Sequence, residues 1–323
     1  MWVQRGLARN YYFQGEFDLA LVEVDKAIFL NPADYRNLRM KGDIYQCRGD
    51  LIEAEKEYQK LMESEEQTAH LGSRVKLGAL YLLDGKFEKS KSQSKQGIEL
   101  AEKLGEERWK SDFQLLLAYT YLKSENAEQA LEECNKAWNI AVDTESLTRQ
   151  RRALHYKELT CLEMKSMDGA RKAAVELKEL IEKGMNKKLM RFYHHLMGRI
   201  ELERKNFSRA IEYFKKAISL LPFQSDMHTF FMDSLAFAHY LARNLEKARE
   251  EYERIISLTA GRLYYGDIYA NSFYMLGKIY EEKGWEGKAI ENYKKFLDLW
   301  KDADPGIPEV ADAKKRLTSL QSQ

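Results

Sequence analysis

One period runs the length of this 323-residue chain. A small residue recurs at Ala8, Gly42, Gly78, Ala118, Gly198, Ala236 and Gly277, and Glu158 stands at the equivalent place in the fifth unit. The intervals are 34, 36, 40, 40, 40, 38 and 41 residues. Three residues after the small position come Tyr11, Tyr45, Tyr81, Tyr121, Cys161, Glu201, His239 and Tyr280. Twelve after it come Ala20, Ala54, Ser90, Ala130, Ala170, Ala210, Ala248 and Ala289. Sixteen after it come Val24, Tyr58, Ser94, Cys134, Ala174, Phe214, Tyr252 and Tyr293. A fixed period of this size means one supersecondary unit stacked on copies of itself. Two helices approach closely only where side chains are small, so the Gly/Ala columns mark crossings. The aromatic column then fills the gap between one pair and the next.

Breakers fall where a helix-pair unit needs them. The chain has only 4 prolines and 18 glycines, which suggests long helical runs and argues against many short strands. Gly15, Gly49, Gly85 and Gly284 sit seven residues after the small position, where a left-handed turn residue is wanted. Pro32 and Pro222 stop second helices. Asp304-Pro305-Gly306-Ile307-Pro308 ends the last repeat, and Pro308 opens a final helix. In that helix Val310, Leu317 and Leu320 are expected to face the array, with Lys314, Lys315 and Arg316 solvated.

The ladder resembles the tetratricopeptide repeat. Its first unit reads Leu7-Ala8, Tyr11, Gly15, Phe17, Ala20, Ala27, Pro32, and its sixth Met197-Gly198, Phe207, Ala210, Phe214, Ala217, Pro222. The resemblance implies an all-α, right-handed superhelical solenoid of about eight helix–turn–helix repeats plus a C-terminal closing helix. The expected organisation is a single solenoid over 1–323. Its repeats lie near 1–34, 35–70, 71–110, 111–150, 151–190, 191–228, 229–269 and 270–304, with the closing helix over 308–320. Trp2 and Leu7 have no cap before them, so either a segment precedes this chain or the first unit caps itself. The segment 296–305 is also similar to closing repeats of large bacterial regulatory proteins that carry a kinase, cyclase or DNA-binding output domain.

Composition narrows the function. Lys+Arg 52 against Asp+Glu 51 gives a formal charge of +1, against the basic excess of a phosphate-backbone binder. Uneven intervals argue against a one-base-per-repeat RNA reader. Cys47, Cys134 and Cys161 are odd in number and far apart, with no zinc or disulfide spacing, which points to a reducing, cytoplasmic compartment. No apolar run reaches the ~18 residues of a membrane span, and no signal core stands at the N-terminus. No phosphate loop, zinc-protease motif or nucleophile elbow is present, so no enzyme, cofactor or metal is expected.

Groove-facing candidates follow from the register of the first helices. Arg5 and Arg9 are one turn apart, and Arg39 is the counterpart of Arg5 in the next unit, beside Arg36. Their guanidiniums could converge on one carboxylate, so an acidic or C-terminal partner segment is expected at this end. The plainer alternative is solvated arginines paired with Asp43 and other acids. Within the resembled family some members clamp a terminal carboxylate with Lys and Asn. Arg5 and Arg9 stand at those positions, Met40 replaces the next Asn, and Lys76 matches a later basic position. His155, His195 and Asp233 share one repeat position, and Glu163 and Glu203 another, with Arg199 between. This spacing is that of neighbouring helices and not of a one-turn metal pair, so peptide contact or plain structural histidines are expected. Phe237, Tyr240 and Tyr274 supply aromatic groove positions, the alternative being core packing. Together these features predict a non-enzymatic scaffold or adaptor binding a protein or peptide in its concave groove. The alternative is the sensory half of a larger bacterial signalling protein.

Overall fold

The computed structural model describes residues 2–222 and 227–322. Residues 223–226, inside the expected sixth unit, lie outside the described residues, as do Met1 and Gln323. The fold is an all-α superhelix of helix pairs. The first four pairs are α1 (Trp2–Gln14) with α2 (Phe17–Leu30), α3 (Tyr35–Arg48) with α4 (Leu51–Lys60), α5 (Gln67–Leu83) with α6 (Phe87–Leu104), and α7 (Glu107–Lys123) with α8 (Ala127–Asp143). Next come α9 (Leu147–Glu163) with α10 (Met167–Glu182), α11 (Met190–Glu203) with α12 (Phe207–Ser219), and α13 (Met227–Leu241) with α14 (Leu245–Ser257). The last pair is α15 (Gly266–Glu282) with α16 (Glu286–Leu299), followed by α17 (Pro308–Gln321). Among the described residues, successive first helices pack on one another more closely than successive second helices do, so the first helices form the inner wall.

The crossing columns are matched in size. A Cβ on Gly42 would lie 2.5 Å from the Tyr58 ring, and the same holds for Gly198 with Phe214 and Gly277 with Tyr293. Where the crossing residue carries a side chain, the residue sixteen later shrinks, as in Ala8/Val24, Ala118/Cys134 and Glu158/Ala174. Gly78/Ser94 and Ala236/Tyr252 depart from this exchange. Glu158 is wholly buried, neither carboxylate oxygen has a hydrogen-bond partner, and burial pushes its carboxyl well up despite the Arg199 charge. Its place in the wall thus favours the protonated, neutral form.

All eight intra-pair turns place the residue seven after the crossing in the left-handed region. Gly15, Gly49, Gly85 and Gly284 do so at φ 81°, 98°, 68° and 70°. Glu125, Lys165, Lys205 and Arg243 do so at φ 56°, 57°, 61° and 61°. The turn geometry is therefore set by the packing of the pair, with glycine only the less strained occupant.

The superhelix closes on itself, which the repeat pattern did not announce. The connection between α14 and α15 enters the inner space and meets α3: Gln46 Nε2 donates to Arg262 O (2.7 Å), Cys47 Sγ to Thr259 O (3.3 Å), and Arg262 Nη1 to Cys47 O. Leu263 is buried in the cluster of Ala8, Tyr12, Ile44 and Cys47. Lys76, itself buried, lies 4.4 Å from the Tyr264 ring centre and pairs with Asp43 at 2.9 Å. Asp267, at the start of α15, accepts Tyr119 Oη (2.9 Å) and pairs with Lys123 (2.9 Å). The α16–α17 link completes the seam: Trp300 Nε1 donates to Leu83 O (3.0 Å), Asp304 N to Gly85 O (3.1 Å), and Glu88 N to Asp304 Oδ2 (2.8 Å).

In α17, Ala313 and Leu320 are buried and Val310 and Leu317 pack on the core. Arg316 is not solvated as its lysine neighbours are. It is half-buried and bridges Asp312 (2.6 Å) and Glu281 (3.0 Å).

Gly266 is where backbone meets backbone. A Cβ there would lie 2.4 Å from Leu83 Cβ and 2.9 Å from Leu83 Cα. Gly287, in the first turn of α16, has nothing within 4 Å of the same position. Gly266→Ala is expected to cost about 1–3 kcal/mol by forcing the seam apart. Gly287→Ala is expected to gain about 0.5–1 kcal/mol from chain entropy and helix propensity. Urea unfolding of the two variants checks the contrast.

Candidate partner-binding surface

The N-terminal arginines have a carboxylate already. Asp34 caps α3 through Arg36 N–H (3.1 Å) and binds Arg36 Nε (2.6 Å) and Arg5 Nη1 (2.9 Å). Burial opposes its ionisation, but the Arg36 hydrogen bonds and the Arg36 and Arg5 charges outweigh burial and hold it below the usual range. The convergence expected for a partner's carboxylate is thus made with the chain's own Asp34, and Asp43 is taken by Lys76 and Tyr58. Arg9 stands apart, 5.5 Å from the Phe13 ring centre. Arg39 is half-buried and has no charged or hydrogen-bonding partner among the described residues.

His155 and His195 are buried in the wall between helices and are not presented to a groove. His155 Nε2 and His195 Nδ1 are 3.1 Å apart, and His195 Nε2 reaches Ser234 Oγ at 2.9 Å, a polar thread through α9, α11 and α13. The His195 ring stacks on Phe231, 4.6 Å between centroids and 11° between planes. Burial, aided by the Arg199 charge, pushes His155 down to about 3 and, aided also by His155, holds His195 well below its ordinary value. Both stay neutral where free histidine would take a proton. The expectation of a groove-facing histidine ladder is corrected: the shared register aims these rings at the neighbouring helix. Among the described residues no group of three or more His, Cys, Asp or Glu could hold a metal.

Asp233, one residue from Ser234, turns instead to the inner space. Burial, with Asp267 beside it, pushes its carboxyl up to about 6 against the pull of Lys123 and Arg199. Arg199 reaches Glu163 at 3.6 Å. Phe237 is exposed. Tyr240 donates to Glu282, which also holds Arg243. Tyr274 is largely buried and donates to Asp312 of α17 (2.7 Å), with Lys278 5.4 Å from both tyrosine rings. Arg199 and Asp233 thus belong to an interior charge cluster at α9–α15, and Tyr274 is tied to the closing helix.

An open cleft of about 390 Å³ lies between α5, α7, α9 and the 264–265 segment. Val75, Ala79, Leu115 and Leu116 form its floor, and Trp109, Tyr119, Tyr156, Tyr264 and Tyr265 form much of its wall. At one side Arg152 and Arg149 share Asp112, at 2.6 and 2.8 Å. Next in sequence, Arg151 lies near Arg191 of the following unit, and burial together with Arg151 lowers the Arg191 guanidinium. The Arg191 Nε is buried without a partner. Sequence reasoning missed this cleft because Tyr264 and Tyr265 belong to no repeat column.

The segments 193–222 and 270–299 match the tetratricopeptide repeat family model. The chain carries tetratricopeptide repeats. The two matched segments are the units with the Gly198/Phe214 and Gly277/Tyr293 crossings intact. No curated protein matches the chain in sequence. Among solved structures, the apo form of RapI resembles it with a TM-score of 0.52 and 18% identity, over 83% of this chain and 98% of that one. A tetratricopeptide repeat protein from Parabacteroides merdae gives 0.46 and 16% over 98% and 97%. A chain of the Cut9–Hcn1 hetero-tetramer of APC/C gives 0.47 and 14% over 96% of this chain, which spans 54% of that one. Identities this low show the fold alone. Among the described residues, no helix of this repeat chain is long and apolar enough to cross a membrane.

The buried histidines make a measurable signature. A folded value held down gives stability that is present above the unfolded pKa and lost as pH falls below about 6.5. Glu158 and Asp233, both held up, act in the opposite direction, so the comparison is between variants. The stability advantage of wild type over His155→Asn is expected to shrink by about 1.4 kcal/mol per pH unit below 6.5. Urea titrations from neutral to mildly acidic pH measure it, and a constant difference contradicts the buried neutral state.

Proposed function

We propose that this repeat chain is a non-catalytic interaction scaffold that takes a segment of a partner protein in the inner-wall cleft, not along the whole concave face. One observation carries the reading: the inner space of α1–α5 is filled by the chain's own 259–267 segment, and the cleft beside it stays open with an apolar floor and aromatic walls. Its volume is at the lower end of the range of ligand-binding clefts. Aromatic anchors in a desolvated pocket are the usual source of binding energy at such sites. Arg151 and Arg191 lie beyond the Asp112–Arg152 pair and favour an acidic group next to the anchored side chain. The buried free thiols Cys47, Cys134 and Cys161 support a reducing, cytoplasmic setting. The regulatory-half alternative rests on 296–305, whose Trp300 and Asp304 serve the closure of the array.

A displayed random-peptide library selected on the full chain tests this. Enriched peptides are expected to pair an apolar or aromatic residue with a nearby acid. Val75→Trp, which fills the cleft, and Arg152→Glu should each weaken them about tenfold or more, roughly 1.4 kcal/mol. Peptides that bind both variants as they bind wild type contradict the cleft.

A further inference from the structure

The first unit breaks a rule that the other seven keep. At the position of Val22 the other units carry only Lys, Ser or Glu, and at that of Phe29 only Glu, Asn, Ser or Asp. At the position of Leu19 they carry Glu, Lys, Gln, Gly or Arg. These are outer positions of the second helix: the residues equivalent to Val22 and Phe29 are exposed in all seven other units, and those equivalent to Leu19 in five. In α2 they are apolar and still exposed: Leu19 48%, Val22 51% and Phe29 86%, with Leu30 at 56%. Their spacing puts them on one stripe of the helix. The opposite face of α2 buries Ala20, Val24 and Ala27, so this helix is apolar on both sides. A helix of that kind is covered on both sides when its protein is assembled.

The stripe continues onto α1. A shallow hollow joins Gln4 to Val22, Lys26, Phe29 and Leu30, and Val3 and Leu7 flank Gln4 on the same helix, 68% and 40% exposed. At roughly 150–200 Å² per large side chain the patch offers on the order of 600 Å² of apolar surface. That is at the top of what a monomer shows. With a polar rim it approaches the ~800 Å² per partner of a standard interface.

We propose that this face is a two-fold contact between two copies of the chain. The charges beside it are mixed and internally paired: Lys26 with Glu23 (2.6 Å), Asp25 with Lys41 (2.7 Å), and Asp18 with Arg48 (2.9 Å). No single-sign field repels a second copy, and the acids disfavour an anionic lipid surface. The stripe is self-complementary. Leu19 and Phe29 are equidistant from Val24, as are Val22 and Lys26, so antiparallel α2 helices set each Phe29 beside the other copy's Leu19. The Lys26 stem covers Val22 while its head stays on Glu23. A two-fold contact uses the same patch on both copies and closes at the dimer. The far end of the array, capped by α17 with Lys314, Lys315, Thr318 and Ser319 outward, offers no matching face.

Sedimentation equilibrium of the full chain across a loading series tests the proposal. Wild type is expected to approach the mass of two chains. Val22→Lys with Phe29→Glu should stay monomeric with unchanged helicity and melting temperature. Ile52→Glu, at an exposed apolar residue on α4, should leave the dimer intact. Phe29→Cys with Leu19→Cys is expected to cross-link two copies on oxidation. A wild type that stays monomeric at every loading, or a dimer that survives the double variant, overturns the proposal. A monomeric wild type that floats with phosphatidylcholine–phosphatidylglycerol vesicles, and loses this in the double variant, overturns it in favour of a lipid surface.

Discussion

Leu83, the last residue of α5, is where the third helix pair meets the last one. The backbone of Gly266 lies against it closely enough that no Cβ fits, and its carbonyl accepts the Trp300 indole N–H. Both partners come from the eighth unit, more than 180 residues away in sequence. A solenoid whose units touch only their neighbours has a stability that is a sum of local terms. Here contacts across the interior bind units 2–4 to the α14–α15 connection and the last helix pair, so opening the array must break buried bonds, including the Asp267 pair with Lys123 and the Gln46 contact with Arg262. Desolvated partners left alone are costly, which favours one closed shape.

Closure also decides what the inner wall can offer. An open superhelix presents a continuous groove. In this one the inner space near α1, α3 and α5 holds Leu263 and Tyr264, and the interior of α7–α15 is crossed by charge pairs. The cleft between Trp109, Tyr156 and Tyr264 is the part of the groove that the chain's own segment borders without filling. Tyr264 and Tyr265 thus act twice, as part of the seam and as wall of the site. Any ligand there touches the closure directly.

How much of this was legible in the sequence follows from periodicity. The crossings and the turns repeat eight times and the pairing of Gly with Tyr or Phe three times, so single exceptions such as Glu158 do not hide them. The closure rests on residues that occur once: Gly266, Trp300, Asp304 and Arg262 have no counterpart column. Gly261 and Gly266 did carry a faint signal, since they lie off the glycine ladder, and both sit where a Cβ would collide, with Thr229 and Leu83. The histidines were placed at the right register, but a register fixes a helix face only to within a residue. Ser234 joins the thread and Asp233, next to it, faces inward. Of the four arginines of the first two units, Arg9 and Arg39 stand apart, while Arg5 and Arg36 converge. Their carboxylate, Asp34, lies in the connection just before α3, outside the columns from which the groove was read.

The closed array is tested most directly by a distance across the seam. Ile52 and Lys301 are both exposed and border the same hollow of about 510 Å³ between α4, α5 and the end of α16, while the native cysteines are buried. Spin labels at Ile52→Cys and Lys301→Cys, measured by double electron–electron resonance, are predicted to give one short, narrow distance that broadens in Trp300→Ala. A long or broad distribution in the otherwise wild-type chain would contradict the closed superhelix.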